Sequence, residues 1–223
     1  MSRHLRKHGW PLGLGVLLVI LIALTRFIQP TFGASGIESL ARAALPFAFA
    51  TAGMAIVVIV GGIDLSVASI MAVSAVLAAV LMVRMAGVPA LILVLAAGLA
   101  MGLINGTLIV LTRVPDIVVT LAMLFVWEGT ALLILSSPGG ATADWLEASI
   151  RGFFLVEGLP KAFLIVVLAV GVVWLPIRRS KLGLSIYATG SDEMAAFRSG
   201  VPVGRTKIAA YGLCGLFLSL IHI

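Results

Sequence analysis

The chain has 223 residues, 61% of them hydrophobic and 11% charged, with a formal net charge of +6 and a mean hydropathy of +1.22. Soluble domains carry roughly 25% charged residues, so this composition excludes one and predicts an all-α, polytopic transmembrane helical bundle. The basic residues gather in loops, which argues against a nucleic-acid partner and for orientation across a bilayer; the single cysteine, Cys214, lies in an apolar segment and excludes an internal disulfide framework or a Cys-rich metal site.

Seven apolar windows are predicted as spans: residues 10–27, 43–61, 63–83, 88–112, 117–136, 162–177 and 208–223. Arg3, Arg6 and Lys7 precede the first, in the manner of a signal peptide. No small-x-small cleavage motif closes that run, so it is read as a retained span. With a cytoplasmic N-terminus, the inside segments are 1–9, the Gly62 turn, 113–116 and 178–207, with three, none, one and six Lys or Arg. The outside segments hold Arg42, Arg84, Arg151 and Lys161, and Arg26 ends the first span. Ten against four supports a multi-pass protein with its N-terminus in the cytoplasm.

The most informative stretch is GGIDLSVAS at 61–69. Residues 43–83 would measure about 60 Å as one helix, twice the apolar thickness of a bilayer, so the chain must turn or break near Gly61 and Gly62. Irregular backbone at membrane depth is tolerated where it packs inside protein or lines a cavity. A carboxylate there costs about 2.5–3.5 kcal/mol, which marks Asp64 as functional by default. The competing reading is that Asp64 only caps the helix that follows, and the two can coexist. Ser66 and Ser69 accompany it.

In the fourth span Gly98, Gly102 and Gly106 form a flat stripe for a close neighbour helix. Asn105 beside it either bonds across helices or faces a pore. Val114 and Pro115 break the chain, Asp116 stands at the mouth of the fifth span, and Thr120 is read as a backbone-bonding hydroxyl. Glu128, eleven residues into its apolar segment, needs a partner or water. The outer loop, 137–161, carries Asp144, Glu147 and Glu157 against Arg151, and its Trp145, Phe153 and Phe154 suit the headgroup zone better than a docking surface.

Residues 178–207 are the one sizeable polar inside loop. Ser191 or Asp192 is predicted to cap a short helix at 191–199, with Glu193 in its first turn, Arg198 in its last, and Gly200 and Pro202 beyond. Such a helix is too short to stand alone. Bearing Met194, Ala195 and Phe197, it either docks on another protein or belongs to an ordinary interfacial loop.

GGIDLSVAS, GLINGTLIVLTRVPDIVVTLAM and LGLSIYATGSDEMAAFRSGVPV, in this order and spacing, resemble the inner-membrane permease subunit of ribose-type sugar ABC importers over essentially the whole chain. The resemblance implies a single permease domain at 1–223, with 178–207 as its coupling loop. It also implies partners: a cytoplasmic ABC ATPase, a second permease protomer, a periplasmic sugar-binding protein and the lipid bilayer. Asp64, Ser66 and Asn105 would lie on or near the translocation path. Ser191, Asp192, Glu193, Ala195, Ala196, Phe197 and Gly200 would contact the ATPase. Ser69 and Thr120 add hydroxyls suited to an uncharged sugar, and Glu128 completes the candidate path set. Asp192 stands where that family usually has Asn; Asp116 and Glu128 replace residues commonly apolar and basic, which leaves the cargo open. The chain stops at Ile223 inside the seventh window, with His222 poorly suited to a span, so a permease truncated at its C-terminus is the expectation.

No G-x-x-x-x-G-K-S/T run, H-E-x-x-H, G-x-S-x-G or His/Cys cluster occurs. The expectation is therefore a transport subunit rather than an enzyme, without catalytic residues, metal or cofactor, the Mg-ATP being held by the partner ATPase. A permease for a non-sugar solute, such as a branched-chain amino acid or a nucleoside, is the nearest alternative. An ion-coupled secondary transporter using Asp64 or Glu128 is the more distant one.

Overall fold

A computed structural model describes residues 3–137, 139–141, 143–154 and 159–222, with side chains from 9 to 220. Glu157 and Ile223 lie outside the described residues, as does the side chain of His222. The order is α1 (Arg3–Ile28), α2 (Ala34–Ile59), α3 (Val67–Arg84), α4 (Gly87–Thr112), α5 (Asp116–Ile134), α6 (Asp144–Ile150), α7 (Lys161–Arg178), α8 (Lys181–Ser191), α9 (Glu193–Arg198) and α10 (Val203–Leu218), followed by a 3₁₀ turn at Ser219–His222. The all-α bundle is as expected. Among the described residues six helices are long and apolar enough to cross a membrane: α1 from Gly9 onward, α2, α3, α4, α5 and α7. The seventh apolar window falls on α10, which starts at Val203 after Pro202, five residues earlier than expected, and continues into the 3₁₀ turn.

α10 is the axis of the bundle. It packs most closely on α4 and next on α2, while α3 packs on α5 and α4. Tyr211, Cys214 and Leu218 join Val57, Ile70, Val73 and Met101 in one apolar core. Ala210 and Phe217 join Leu45, Phe49, Ile56 and Ile186 in the other. Cys214 is thus a buried small apolar residue. The intimacy of α4 and α10 comes from the glycine stripe. A methyl group on Gly102 would strike the Tyr211 carbonyl, one on Gly98 would lie 2.6 Å from the Gly215 carbonyl, and one on Gly106 would lie 2.8 Å from the Ile208 Cα. Small residues at this spacing let backbones meet and maximise dispersion contact where the hydrophobic effect is weak.

The 60–66 link is a turn and not a break. Gly61 sits at φ +88°, and the Gly61 and Gly62 amides donate to the Val58 and Val57 carbonyls at 3.0 and 2.8 Å. The start of α2 and the end of α3 then lie at the same end of the bundle. There the Gly152 amide donates to Glu38 Oε1 at 2.9 Å, the Ala141 amide donates to the Ala79 carbonyl at 3.3 Å, and Trp145 of α6 covers Gly87. At the opposite end the 60–66 link, the 113–115 link, α8 and α9 converge: Gly190 seats on the Ile59 carbonyl, and Arg113, Asp116, Glu193 and Lys207 border one cleft. The 60–66 link, the 113–115 link and the α8–α9 pair thus share one end of the bundle, and the start of α2, the 85–86 link and α6 share the other.

Residues 178–207 differ from expectation in one respect. Where a loop with one short helix was predicted, two helices stand. α8 occupies Lys181–Ser191, so Ser191 ends a helix rather than capping one. The short helix is confined to Glu193–Arg198 and is capped by Asp192, whose Oδ1 accepts from the Ala195 amide at 2.9 Å. Gly200, at φ +83°, closes its C-terminal end.

Candidate functional site

The candidate site is built where four segments meet. Asp64, on the 60–66 link, is 3% exposed. Its Oδ1 accepts from the Ser66 amide at 2.8 Å and the Ser66 hydroxyl at 2.6 Å. Carboxylates next to turns favour this i to i+2 bond because it mimics a backbone turn. Asp64 therefore organises the link and leaves the first turn of α3 uncapped by its side chain; Ser66 is the N-cap residue, and its own side chain makes no capping bond. Asp64 Oδ2 is buried without a hydrogen-bond partner among the described residues. Burial raises the Asp64 carboxyl above its ordinary range, the two Ser66 bonds pull it down, and the neighbouring Asp116 charge adds to the rise.

From Ser66 the chain of polar contacts crosses into the spans. Asn105 of α4, fully buried, donates through Nδ2 to Ser66 Oγ at 2.7 Å, and its Oδ1 accepts from Trp127 Nε1 of α5 at 3.1 Å. The reading of Asn105 as an interhelical bond is therefore realised, with both ends of the amide satisfied. Ser69 is buried and turns back on its own helix, its hydroxyl donating to the Ser66 carbonyl at 2.9 Å. Thr120 of α5 is the backbone-bonding hydroxyl expected: Oγ1 donates to the Asp116 carbonyl at 2.8 Å and accepts from the Leu65 amide at 3.1 Å. This second contact stitches α5 to the link.

A second limb reaches α10. Tyr211 Oη donates to Asp116 Oδ2 at 2.8 Å and lies 3.2 Å from the Ile63 carbonyl. Gly62 makes room for both groups: a Cβ there would stand 2.6 Å from Tyr211 Oη and 2.9 Å from Asp116 Oδ2. Asp64, Ser66, Ser69, Asn105 and Thr120 are thus brought together around one turn. Glu128 is not among them. It lies on the exposed face of α5 with Phe125, Leu132 and Leu133, twelve residues beyond Asp116. That is about 18 Å along the helix.

Trp127, Tyr211 and the bonding role of Asp116 escaped sequence reasoning. Trp127 follows Asn105 on the next span, and Tyr211 is one of two tyrosines in the chain. A ring whose polar atom must find a partner in an apolar run was the available signal.

The coupling-loop candidates divide by exposure. Met194 and Phe197 are 60% and 67% exposed, whereas Ala196 is buried against the bundle. Glu193, Ala195 and Gly200 are exposed, and Ser191 and Asp192 mark the junction of α8 and α9. Glu193 pairs with Lys207 of α10 at 2.8 Å, tying the short helix to the axial one. A cleft of about 650 Å³ opens between α9, α10 and the 113–115 link, and Asp116 forms part of its wall. Asp116 therefore borders the cleft and the buried polar group alike.

A family model described as branched-chain amino acid transport system / permease component matches residues 36–218. Autoinducer 2 import system permease proteins LsrD from Escherichia coli (strain K12) and Shigella flexneri are each 34% identical over 230 residues, covering 94% of this chain and 66% of theirs. The chain thus spans about two thirds of the length of these curated relatives. No solved structure matches. With 183 matched residues that run from the start of α2 to the end of α10, the chain belongs to the family of branched-chain amino acid transport system permease components.

Proposed function

We propose that this chain is a permease subunit of an ABC importer in the bacterial inner membrane. It forms part of the path for a monosaccharide or similar small polar solute, driven by a separate cytoplasmic ATPase and supplied by a periplasmic binding protein. The observation that carries this reading is the seat of Gly190 on the Ile59 carbonyl. It joins the α8–α9 pair directly to the link that bears Asp64. Force applied to the exposed Met194 and Phe197 has a stiff route through backbone contact to the turn between two spans, and through the Glu193–Lys207 pair to α10.

In this mechanism the ATPase seats on α9, and its ATP-driven closure moves α8 and α9 as a unit. The 60–66 link follows, and the Ser66–Asn105–Trp127 and Tyr211–Asp116 bonds distribute the motion to α4, α5 and α10. Glu128 supports a water-lined or protein-covered α5 face, because a carboxylate exposed to lipid at that depth is costly. A second permease protomer on that face completes the path. In this reading the N-terminus lies in the cytoplasm, which the excess of Lys and Arg in the segments counted as inside supports.

The relatives are named for autoinducer 2 import and the family for branched-chain amino acids, so both solutes join ribose as cargo to test. Reconstitution of the chain in proteoliposomes with its ATPase and binding protein should give ribose accumulation that requires ATP. Accumulation of leucine or autoinducer 2 alone would replace the cargo and keep the mechanism. Uptake driven by a proton or sodium gradient without ATP would overturn the reading in favour of a secondary transporter.

A further inference from the structure

The corner between α7 and α8 holds a charged site with no part in the path or in α9. α7 is an 18-residue apolar helix that ends at Arg178. It is about 27 Å long, close to the apolar thickness of a bilayer, so Arg178 falls at headgroup depth. Arg179, Ser180 and Lys181 follow at once, and all four residues are exposed. Among the described residues none of these three cations forms an ion pair with a carboxylate. They line a cleft of about 610 Å³ with Ser180, Leu184 and Tyr187.

The same corner is the N-terminus of α8, and its electrostatics are inverted from the usual helix start. The first turn of α8 has no acidic residue and carries Lys181 instead. The positive end of the α8 dipole thus faces Lys181 with no acidic side chain to offset it. Arg178 and Arg179 complement the negative end of α7 and stand beside the same corner; an anion there would meet the α8 amides and all three side chains. Ser180 Oγ satisfies only the Gly183 amide. The apolar side of the cleft matters equally. Leu184 is 71% exposed, and Tyr187 stacks at a tilt with Trp174 of α7, ring centroids 6.4 Å apart. Aromatic pairs of this kind settle at the membrane interface. A site with cations above and exposed apolar surface below matches a molecule with a phosphate head and an acyl tail.

We propose that Arg178, Arg179 and Lys181, with the N-terminus of α8, bind the phosphodiester head of an anionic phospholipid, whose chain lies along Leu184 and Tyr187. The bound lipid neutralises the inverted helix start and steadies the α7–α8 corner from which the α8–α9 pair extends. Arginines hold a phosphate oxygen pair through two parallel bonds, and each basic residue near an anionic surface adds about fivefold in affinity.

The test is binding of phosphatidylglycerol to the full chain in detergent and in nanodiscs, by lipid-resolved mass spectrometry and by melting temperature, with phosphatidylcholine and inorganic phosphate as separate arms. Phosphatidylglycerol should bind in preference and raise the melting temperature, phosphatidylcholine should do neither, and inorganic phosphate should be inert because it lacks the acyl chain. R178Q/R179Q/K181Q should bind the anionic lipid on the order of 100-fold more weakly while melting as the wild type does in phosphatidylcholine. R178K/R179K should recover most of the lipid preference. Three results would overturn the proposal: equal binding of both lipids, stabilisation by inorganic phosphate alone, or an undiminished lipid preference in the glutamine variant. If the glutamine variant keeps its lipid preference but loses ATPase capture, the cluster contacts protein and the proposal fails. A glutamine variant that melts early in phosphatidylcholine is replaced by R178Q/R179Q, which must then lose the preference about 25-fold.

Discussion

Tyr211 and Asp116 lie 95 residues apart, yet the phenol of α10 donates to the first carboxylate of α5 at 2.8 Å, over a glycine that has no room for a methyl group. This bond fixes the axial helix to the start of α5 at the end of the bundle where α8 and α9 sit. Tyr211→Phe removes the donor and leaves the Asp116 oxygen short of a partner. It should cost about 1–3 kcal/mol of stability. Combined with Asp116→Ala, which removes the acceptor, in a double-mutant cycle, the pair should show a coupling of about 0.5–3 kcal/mol by thermal melting in detergent. Additive effects would mean that the two groups do not interact.

Asn105 is the second bridge, fully buried and bonded at both ends. Asn105→Leu keeps the volume close but strands the Trp127 indole N–H and removes the donor to Ser66 Oγ, which keeps its bond to Asp64. The expected loss is about 1–3 kcal/mol per stranded group, seen as a lower melting temperature and a shift in tryptophan emission as the Trp127 bond is lost. An unchanged melt would show that the bridge carries no net energy.

The glycine stripe offers a contrast within one bundle. Gly102→Ala drives a methyl group into the Tyr211 carbonyl, and the helices must part; the expected cost is about 1–3 kcal/mol. Gly129→Ala, on α5, meets nothing within 4 Å and, by replacing a mid-helix glycine, should stabilise by about 0.5–1 kcal/mol. The difference between their aggregation temperatures measures the α4–α10 contact.

Glu128 tests the environment of the α5 face. If the face borders water or a protein-lined path, as proposed, Glu128→Cys should react with a water-soluble maleimide in membrane vesicles. The wild-type chain is a clean background, since Cys214 is fully buried. Reaction with a lipid-soluble reagent alone would show that the face lies against acyl chains.

Membrane class, the spans and the turn near Gly61 were readable because apolar length and punctuation are local properties. So was Asp64, since a lone carboxylate between uncharged runs stands out by cost. Its bond to Ser66 spans two residues and is local too. The bridges from Ser66 to Asn105 and from Asp116 to Tyr211 join distant spans, and no local pattern encodes such pairings. α8 escaped notice for a different reason. Gly183 and Gly190 weaken its helical signal, but both are required by close approach, Gly183 to the Ile177 and Arg178 carbonyls and Gly190 to that of Ile59. Tertiary contact overrode propensity at the point where the proposed drive enters the membrane domain.

The central claim is that the exposed face of α9 receives the ATPase. Its most direct measurement is co-purification of the ABC ATPase encoded with this chain, comparing wild type with Met194→Lys/Phe197→Lys. Both positions are exposed, so the variant keeps the buried Ala196 and the Asp192 cap. Capture by the wild type that the variant abolishes, with an unchanged melt, is the predicted result; equal capture by both would contradict the assignment of α9 as the coupling element.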